Sequence, residues 1–543
     1  MTSEPETNPR LSSDGQKKED RRKFLRQASI GVAGLITGVE AATLLASKSK
    51  FKWDKETDVV IVGAGASGCS AALSASDNGA KVLMVEAAQV VGGAGSVCIG
   101  SITTPLSRLQ KQAGIDDSVE TYMEDILKLA RGKASRMDKN LLRLLAENGG
   151  ASIDWLLDHG VNIQGPFEYP GHRAKRLHML VPKSAEWPKV IKPILEQRKI
   201  EILLGTKGVE LCREADNHIS GISAMDQNTG RTVTIKARRA VILTSGSLEG
   251  NPQLRSRATT PEIAAIPAAV QTNEGGGLVM AAAVGANMTM LEGFGEPFLR
   301  GMPPGPCSGI EKQAWMPYGI VDTGAILVNK AGKRFVNETA NNIELCLTLS
   351  KQPFKACHLV FDQRIANIFN KWPMVISSIP GIAPVSKIGG FGLVDDFMAW
   401  NAIKRADTIE DLAIAVGVEP DGMKEEVDRW NFFCKQKSDP DFNRLSFGVE
   451  TAGTAGAGIT EPPYYCHSPL RALVVLADTS LAINTNFQVL DVFGRVIPRL
   501  YAAGNVGHGN LVLYGPGHGM HMAWAFTSGR LSGKIAAAER SLS

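Results

Sequence analysis

Residues 59–86 read VVIVGAGASGCSAALSASDNGAKVLMVE, and the fold follows from this stretch. Val59, Val60, Ile61 and Val62 form an apolar, β-branched strand that runs into Gly63, Gly65 and Gly68. A small-residue helix follows, capped near Gly79, and a second strand ends in Glu86. Each glycine answers a separate steric demand. Gly63 allows the tight turn off the strand, Gly65 lets the backbone approach a pyrophosphate that would collide with a Cβ, and Gly68 lets the helix lie close on the sheet. The free N–H groups at Ala66, Ser67 and Gly68, at the positive end of the helix, then face the phosphates. Glu86 stands where an acid accepts hydrogen bonds from ribose hydroxyls. Glycine-rich turns alone are common, but strand, glycines, helix, strand and terminal acid in this order specify a dinucleotide site. An acid at this point suits a free ribose and not a 2′-phosphate, which leaves NAD or FAD.

Three later segments decide between them. Residues 92–96, GGAGS, follow the second strand and supply Gly92, Gly93 and Ser96; residues 240–247, AVILTSGS, form an apolar strand that ends at Gly246; residues 499–505, RLYAAGN, end at Gly504 and Asn505. From about residue 56 to 540 this order of motifs resembles the flavoproteins of the fumarate reductase and 3-ketosteroid Δ1-dehydrogenase superfamily. The resemblance implies FAD as cofactor, bound in extended form across these loops. It also implies the fold class: α/β, a Rossmann-like FAD-binding domain with an inserted α+β capping (catalytic) domain. Residues 54–295 and 460–543 would form the FAD domain and residues 296–459 the insert. Within the insert, Ala325–Asn329 and Gly332–Glu338 match a hairpin of the family.

A chain of 543 residues buries a large core, and 59 basic against 55 acidic residues, a net charge of +4, give no case for a nucleic-acid surface. The eight cysteines contain no CxxC and no CxxCH, so neither c-type haem nor a close-spaced iron–sulfur motif is encoded. Residues 1–50 stand apart from the fold. Arg21-Arg22-Lys23-Phe24-Leu25 precedes an apolar, glycine-rich run from Ala28 to Val39 and resembles a twin-arginine export signal, with Asp20 where Ser or Thr is usual. The run is short for a bilayer span and is followed by Glu40. Recognition by the twin-arginine export machinery would fit a protein whose FAD is inserted before transport. The mature chain is then expected in the periplasm or outside the cell, or membrane-associated through an uncleaved signal. There NADH is absent, so an external electron carrier, a quinone or a periplasmic redox protein, would be the partner.

Residues 118–160 have helical periodicity, residues 200–245 alternate as short strands with a turn at 228–230, and residues from about Met520 to Glu539 read as a helix. That last helix follows the glycine-rich loop GHGNLVLYGPGHG, residues 507–519. In the family its N-terminus lies beneath the flavin's pyrimidine edge, which makes Gly517, His518 and Gly519 candidates for stabilising negative charge there.

Family members that reduce unsaturated acids carry a proton-donating arginine four residues after the Glu of the FVNE stretch, and here that position is Asn342. Their His before TxGG corresponds to Asp478, and their carboxylate-binding arginine before the last helix is missing from Tyr514-Gly515-Pro516-Gly517. The Tyr514 loop resembles that of ketosteroid dehydrogenases, which implies that Tyr514 and a backbone N–H polarise a ketone oxygen while hydride passes between the adjacent carbon and flavin N5. Tyr169, in FEYPG, matches a second family tyrosine, whereas the third, the proposed base, again falls at Asn342. Glu296 and His508 join Asp478, Tyr169 and His518 as groups able to move a proton. The expectation is an exported FAD enzyme acting on a carbonyl-activated CH–CH or C=C bond of an apolar small-molecule substrate. Two rivals stand beside it: a respiratory reductase of an unsaturated carboxylic or aromatic acid, for which Arg176, Arg300 or Arg334 would have to enter the pocket, and a non-catalytic flavin electron carrier.

Overall fold

Strand β1 (Lys55–Val62) runs into helix α1 (Ala66–Asp77) and on to strand β2 (Val82–Glu86), and β2 pairs parallel with β1 in the register Val59↔Val82 to Val62↔Val85. The computed structural model describes residues 51–96, 98, 100–168, 172–181, 184–268, 270–294, 297–301, 314–315, 320–340, 342–371, 394–399, 401–449, 453–474, 477–511 and 519–542. Residues Trp53–Arg213 and Asn217–Ser543 form one compact unit.

The first sheet has eight strands. Its main path runs Gln488–Leu490, Val496–Ala502, Thr232–Leu243, β1, β2, Glu201–Leu204, and the hairpin Thr206–Arg213 with Ile219–Asp226 joins it through Thr232–Leu243. Thr232–Leu243 and Val496–Ala502 lie on one side of β1 and β2 on the other, all parallel to it. β1 is therefore the point where the strand order reverses, and the crevice beyond its carboxyl end is where a doubly wound sheet binds its ligand. Val59, Val60, Ile61, Val241, Ile242 and Leu243 are all fully buried, as parallel strands covered on both faces require.

The last helix, Met520–Ala537, lies across α1 at close range. A Cβ on Gly529 would stand 2.2 Å from the Ser67 carbonyl oxygen and one on Gly533 2.2 Å from that of Ala71, so two glycines one helical turn apart set the approach. The helix reads almost as expected from Met520–Glu539, and the periodicity of 118–160 resolves into helices Val119–Leu129 and Lys139–Asp158.

A second, six-stranded sheet is built from Pro297–Gly301, Ala314–Trp315, Ile326–Val328, Cys357–Phe361, Ile403–Ala406 and Tyr464–Val474. Tyr464–Val474 pairs with three of these strands, and the chain rejoins the first sheet at Gln488–Leu490. A two-stranded pair, Met288–Phe294 with Ala477–Leu481, accompanies both crossings. The expected hairpin at 325–338 is a strand, Ile326–Val328, and a turn closed by Asn329 and Lys333; its second arm is reduced to one bridge, Val328↔Arg334. Seven cysteines are described, and none of them is in a disulfide. Among the described residues no helix is long and apolar enough to cross a membrane.

Candidate functional site: the dinucleotide cleft

A cleft of about 1310 Å³, its open mouth included, lies beyond the carboxyl end of β1. Gly63, Gly65, Ala66, Ser67, Glu86 and Gly93 line it, and Gly246 and Asn505 close it from the neighbouring strands. The sequence-derived residues split into a wall and its supports. A Cβ on Gly65 would have only the Gly92 carbonyl oxygen within reach, at 4.0 Å, so this position opens onto the cleft. At Gly63, with φ +110°, a Cβ would stand 2.7 Å from the Thr244 oxygen; at Gly68 it would stand 1.9 Å from the Gly63 oxygen. Gly63 thus makes the turn and Gly68 seats the helix, while the N-cap at Gly65 has no side-chain cap and leaves the first N–H groups of α1 for a ligand.

Several expected cofactor residues act behind the wall. A Cβ on Gly92 would meet the Ser96 side chain at 2.8 Å, and one on Gly504, at φ +68°, would meet Ser67 Oγ at 2.4 Å. Ser96 Oγ donates to the Gly93 carbonyl at 2.8 Å, which pins the short 3-10 turn Gly93–Ser96. Gly519 is the N-cap of the last helix at φ +94°, pressed against the backbone of Ser101. Glu86 accepts the N–H of Ala64 at 2.6 Å through Oε2 and that of Ala88 at 2.8 Å through Oε1. Each oxygen keeps a second lone pair for a ribose hydroxyl. Burial raises its pKa above the ordinary value, against these backbone N–H groups, which lower it.

Tyr514, Tyr169, His518, Gly517 and Glu296 lie outside the described residues. Asn342 opens the helix Asn342–Ser350, and Asp478 lies on the strand Ala477–Leu481. The same strand carries Ser480, whose Oγ donates to the Val506 carbonyl and accepts the His508 N–H at 2.7 Å. Asp478 is thereby on the strand bonded to the loop that carries Asn505. His508 is buried, and burial pushes its pKa down to about 4, so at neutral pH it is an uncharged imidazole and not an acid.

Two of the three arginines named for an acid substrate are committed elsewhere. Arg176, fully buried, pairs with Asp117 at 2.6 Å and Asp125 at 2.6 Å. Arg334, equally buried, pairs with Glu338 at 2.8 Å and Asp439 at 2.9 Å and lies over Trp430. Neither lines the cleft.

Sequence reading did not name the opposite side of the cleft, formed by Thr206, Lys207, Gln227, Asn273 and Glu274. The run Gly275-Gly276-Gly277 was the available signal: Gly275, at φ +74°, is the N-cap of the helix Gly276–Ala283, and the Gly277 N–H donates to Ser245 Oγ at 3.1 Å. Met522 also lines the cleft, whereas Trp524 is buried and donates to the carbonyls of Gly504 and Gly507, which fixes the Asn505 loop.

An open Gly65, an uncapped helix N-terminus, a ribose-facing acid and a cleft that continues past Gly246 to Asn505 and Met522 fit a flavin dinucleotide. Fold and site define a dinucleotide-binding flavoprotein. Residues 58–521 match the FAD binding domain family FAD_binding_2, and the chain belongs to that family. Its cofactor is FAD. Urocanate reductase of Eggerthella lenta is 26% identical over 506 residues, covering 89% of this chain and 77% of the relative. Among solved structures, the open conformation of a flavocytochrome c3 fumarate reductase superposes with a TM-score of 0.75 at 24% identity, over 92% of this chain and 80% of that one. The 3-ketosteroid Δ1-dehydrogenase of Sterolibacterium denitrificans superposes with a TM-score of 0.66 at 22% identity, over 89% and 100%. The protein is an FAD-dependent oxidoreductase of the class acting on CH–CH groups, which removes the electron-carrier reading.

Proposed function

We propose that this oxidoreductase acts on a carbonyl-activated CH–CH or C=C bond of an apolar, 3-ketosteroid-like substrate, as a desaturase or an ene reductase. The observation that carries the reading is the commitment of Arg176 and Arg334 to buried carboxylates, together with Asn342 and Asp478 at the positions where acid-reducing relatives keep an arginine and a histidine, and a Tyr514–Gly517 loop without their second arginine. With these two arginines held by carboxylates, a ketone bound by neutral donors is the better match than a carboxylate. Bound FAD supplies the two-electron chemistry. Tyr514 donates its hydroxyl hydrogen to the substrate carbonyl oxygen and so acidifies the neighbouring C–H; Asp478 would handle the proton at the adjacent carbon. Residues 54–295 and 460–543 would hold the cofactor, with residues 296–459 capping the substrate.

The test is anaerobic reoxidation of the reduced holoprotein by a panel of enones and unsaturated acids, followed by flavin absorbance. Enones are expected to reoxidise it rapidly, and Tyr514→Phe to slow that reaction about 10²–10³-fold. Reoxidation by acids alone overturns the reading. It would favour reduction of an unsaturated acid, the activity named for the urocanate reductase relative, with Arg300 the arginine left for the clamp.

Export belongs to the same proposal. With Arg21 and Arg22 both replaced by Lys, the protein is expected to stay in the cytoplasm with FAD bound, as read by fractionation and flavin absorbance. Unchanged export of that variant would remove the twin-arginine route. Outside the cytoplasm the electrons would pass to or from a quinone or a redox protein.

A further inference from the structure

Glu249 lies just behind the cleft, between the Gly246 turn and the helix Pro252–Ala258, and is fully buried. Its Oε1 accepts from Asn273 Nδ2 at 2.7 Å, while Oε2 has no hydrogen-bond partner. A buried carboxylate oxygen left without a donor is costly, and protonation of the carboxyl relieves that cost. Asn273 itself lines the cleft, and its Oδ1 lies 2.7 Å from where a Cβ on Gly246 would stand. The Gly250 N–H donates to the Asn273 carbonyl at 2.7 Å, which clamps the two segments together. Because Glu249 takes the NH₂ side of the amide, the Oδ1 side is left as an acceptor against the wall formed by Gly246.

We propose that Glu249 is a positioning residue for FAD: it orients the Asn273 amide so that Oδ1 accepts a hydrogen bond from a donor group of the cofactor, and FAD is held more tightly when the Glu249 carboxyl is protonated. The coupling has a physical source. FAD brings a negatively charged diphosphate and displaces water from the cleft, and both changes disfavour a carboxylate behind the wall. The groups that face Glu249 are few. Asn273 from the 271–277 segment, Ser247 from its own segment and Arg255 from the helix Pro252–Ala258 favour the ionised form, yet burial outweighs them and pushes the carboxyl up to about 7. Lys207 and Glu274, also on the cleft, pair with each other. Burial thus holds the Glu249 carboxyl well above the ordinary carboxylate range, and Oε1 can go on accepting from Asn273 while Oε2 carries the proton.

The experiment dilutes the purified holoprotein at a series of pH values from about 5.5 to 8.5 and reads free-flavin fluorescence to obtain the FAD dissociation constant. Each pH unit of displacement between apo and holo carboxyl is worth at most about tenfold, so a rise of about three- to tenfold across the range is expected for the wild type. Glu249→Gln keeps an acceptor for Asn273 but cannot ionise, and its constant is expected to stay flat. Asn273→Ala removes the cleft-facing acceptor and is expected to weaken FAD about three- to tenfold at every pH. A flat or reversed wild-type curve, a slope that persists in Glu249→Gln, or unaltered affinity in Asn273→Ala overturns the proposal. Should Glu249→Gln fail to fold, Glu249→Met, which cannot ionise either, takes its place in the comparison, because the cleft-lining Glu86 also titrates.

Discussion

Gly65→Val is expected to yield a folded protein that does not retain FAD, whereas Gly68→Val is expected to yield almost no folded protein. The two glycines are three residues apart, and the difference lies in what a side chain would meet. Gly65 has φ −77° and ψ −170°, extended backbone that any residue adopts, and only the Gly92 oxygen lies within 4.0 Å of its ideal Cβ. Valine is accommodated by the protein alone, but its methyl groups fill the space before the first N–H groups of α1, where the pyrophosphate must lie. Losing about two charge-assisted backbone hydrogen bonds, each worth about 1.5–3 kcal/mol, weakens binding roughly 10³-fold. At Gly68 the ideal Cβ would be 1.9 Å from the Gly63 oxygen and 2.8 Å from Thr244 Oγ1, so α1 must lift off the sheet. That movement also parts Ser67 and Ala71 from Gly529 and Gly533 of the last helix, and the loss spreads through the core. Flavin-to-protein absorbance after gel filtration and the thermal midpoint of apoprotein read the two outcomes separately. Gly65→Val that keeps stoichiometric flavin would sink the placement of the diphosphate at α1.

The same contrast shows why the sequence was informative in one half of the site and silent in the other. The β1–α1–β2 unit is local: every steric demand on Gly63, Gly65 and Gly68 is met within 28 residues or by the neighbouring strand, so residue type at fixed spacing carries it. The facing wall of Thr206, Lys207, Gln227, Asn273 and Glu274 is assembled from three distant segments, and polar residues at a strand end and in turns have no periodicity to announce them. Arginines show the limit most clearly. Arg176 and Arg334 invited a reading as substrate clamps because a lone arginine in sequence has no visible partner. The carboxylates that take Arg176 are 59 and 51 residues away, and Asp439 is 105 residues from Arg334. Only Glu338, four residues after Arg334, lay within local reach. Glu86 was legible as an acid at the end of β2, but its backbone partners Ala64 and Ala88 follow from the turn geometry and not from residue type.

Glu338→Ala should destabilise the protein by about 3–5 kcal/mol, the cost of breaking a buried ion pair from one side. Glu338 is the shared anion of a fully buried set: Oε1 accepts from Arg334 Nε at 2.8 Å, and Oε2 accepts from Arg334 Nη2 at 2.8 Å and from Arg444 Nη1 at 3.0 Å. It also accepts the Leu327 N–H at 3.2 Å, which ties the set to the strand Ile326–Val328. Both guanidiniums lie over the Trp430 ring, at 4.6 and 4.3 Å from its centroid, so they cannot swing to water. Truncation leaves Arg444 with backbone carbonyls and Arg334 with Asp439 alone, two cations against one anion in a site without solvent. Arg334→Ala should cost less, because Glu338 keeps Arg444. Replacing Arg334 by Met and Glu338 by Leu together should cost less than the sum of the two alanine variants, since the charges leave as a pair. The pH dependence has a definite sign. Burial alone would raise the Glu338 pKa, but Arg444 and Arg334 outweigh it and the pKa is lowered from the ordinary 4.5; Asp439, also driven up by burial, is brought down chiefly by Arg334. A depressed carboxyl contributes its stability above the unfolded value and loses it as pH falls through the folded one. Wild-type stability should therefore fall below about pH 4.5, and Glu338→Ala, already without that contribution, should fall less steeply there. Urea unfolding midpoints at pH 7 and pH 4 measure both effects. An alanine variant that unfolds with the wild type at pH 7 would show that the set is indifferent to its central anion, and the second sheet would then owe its stability to the apolar cluster around Trp430 alone.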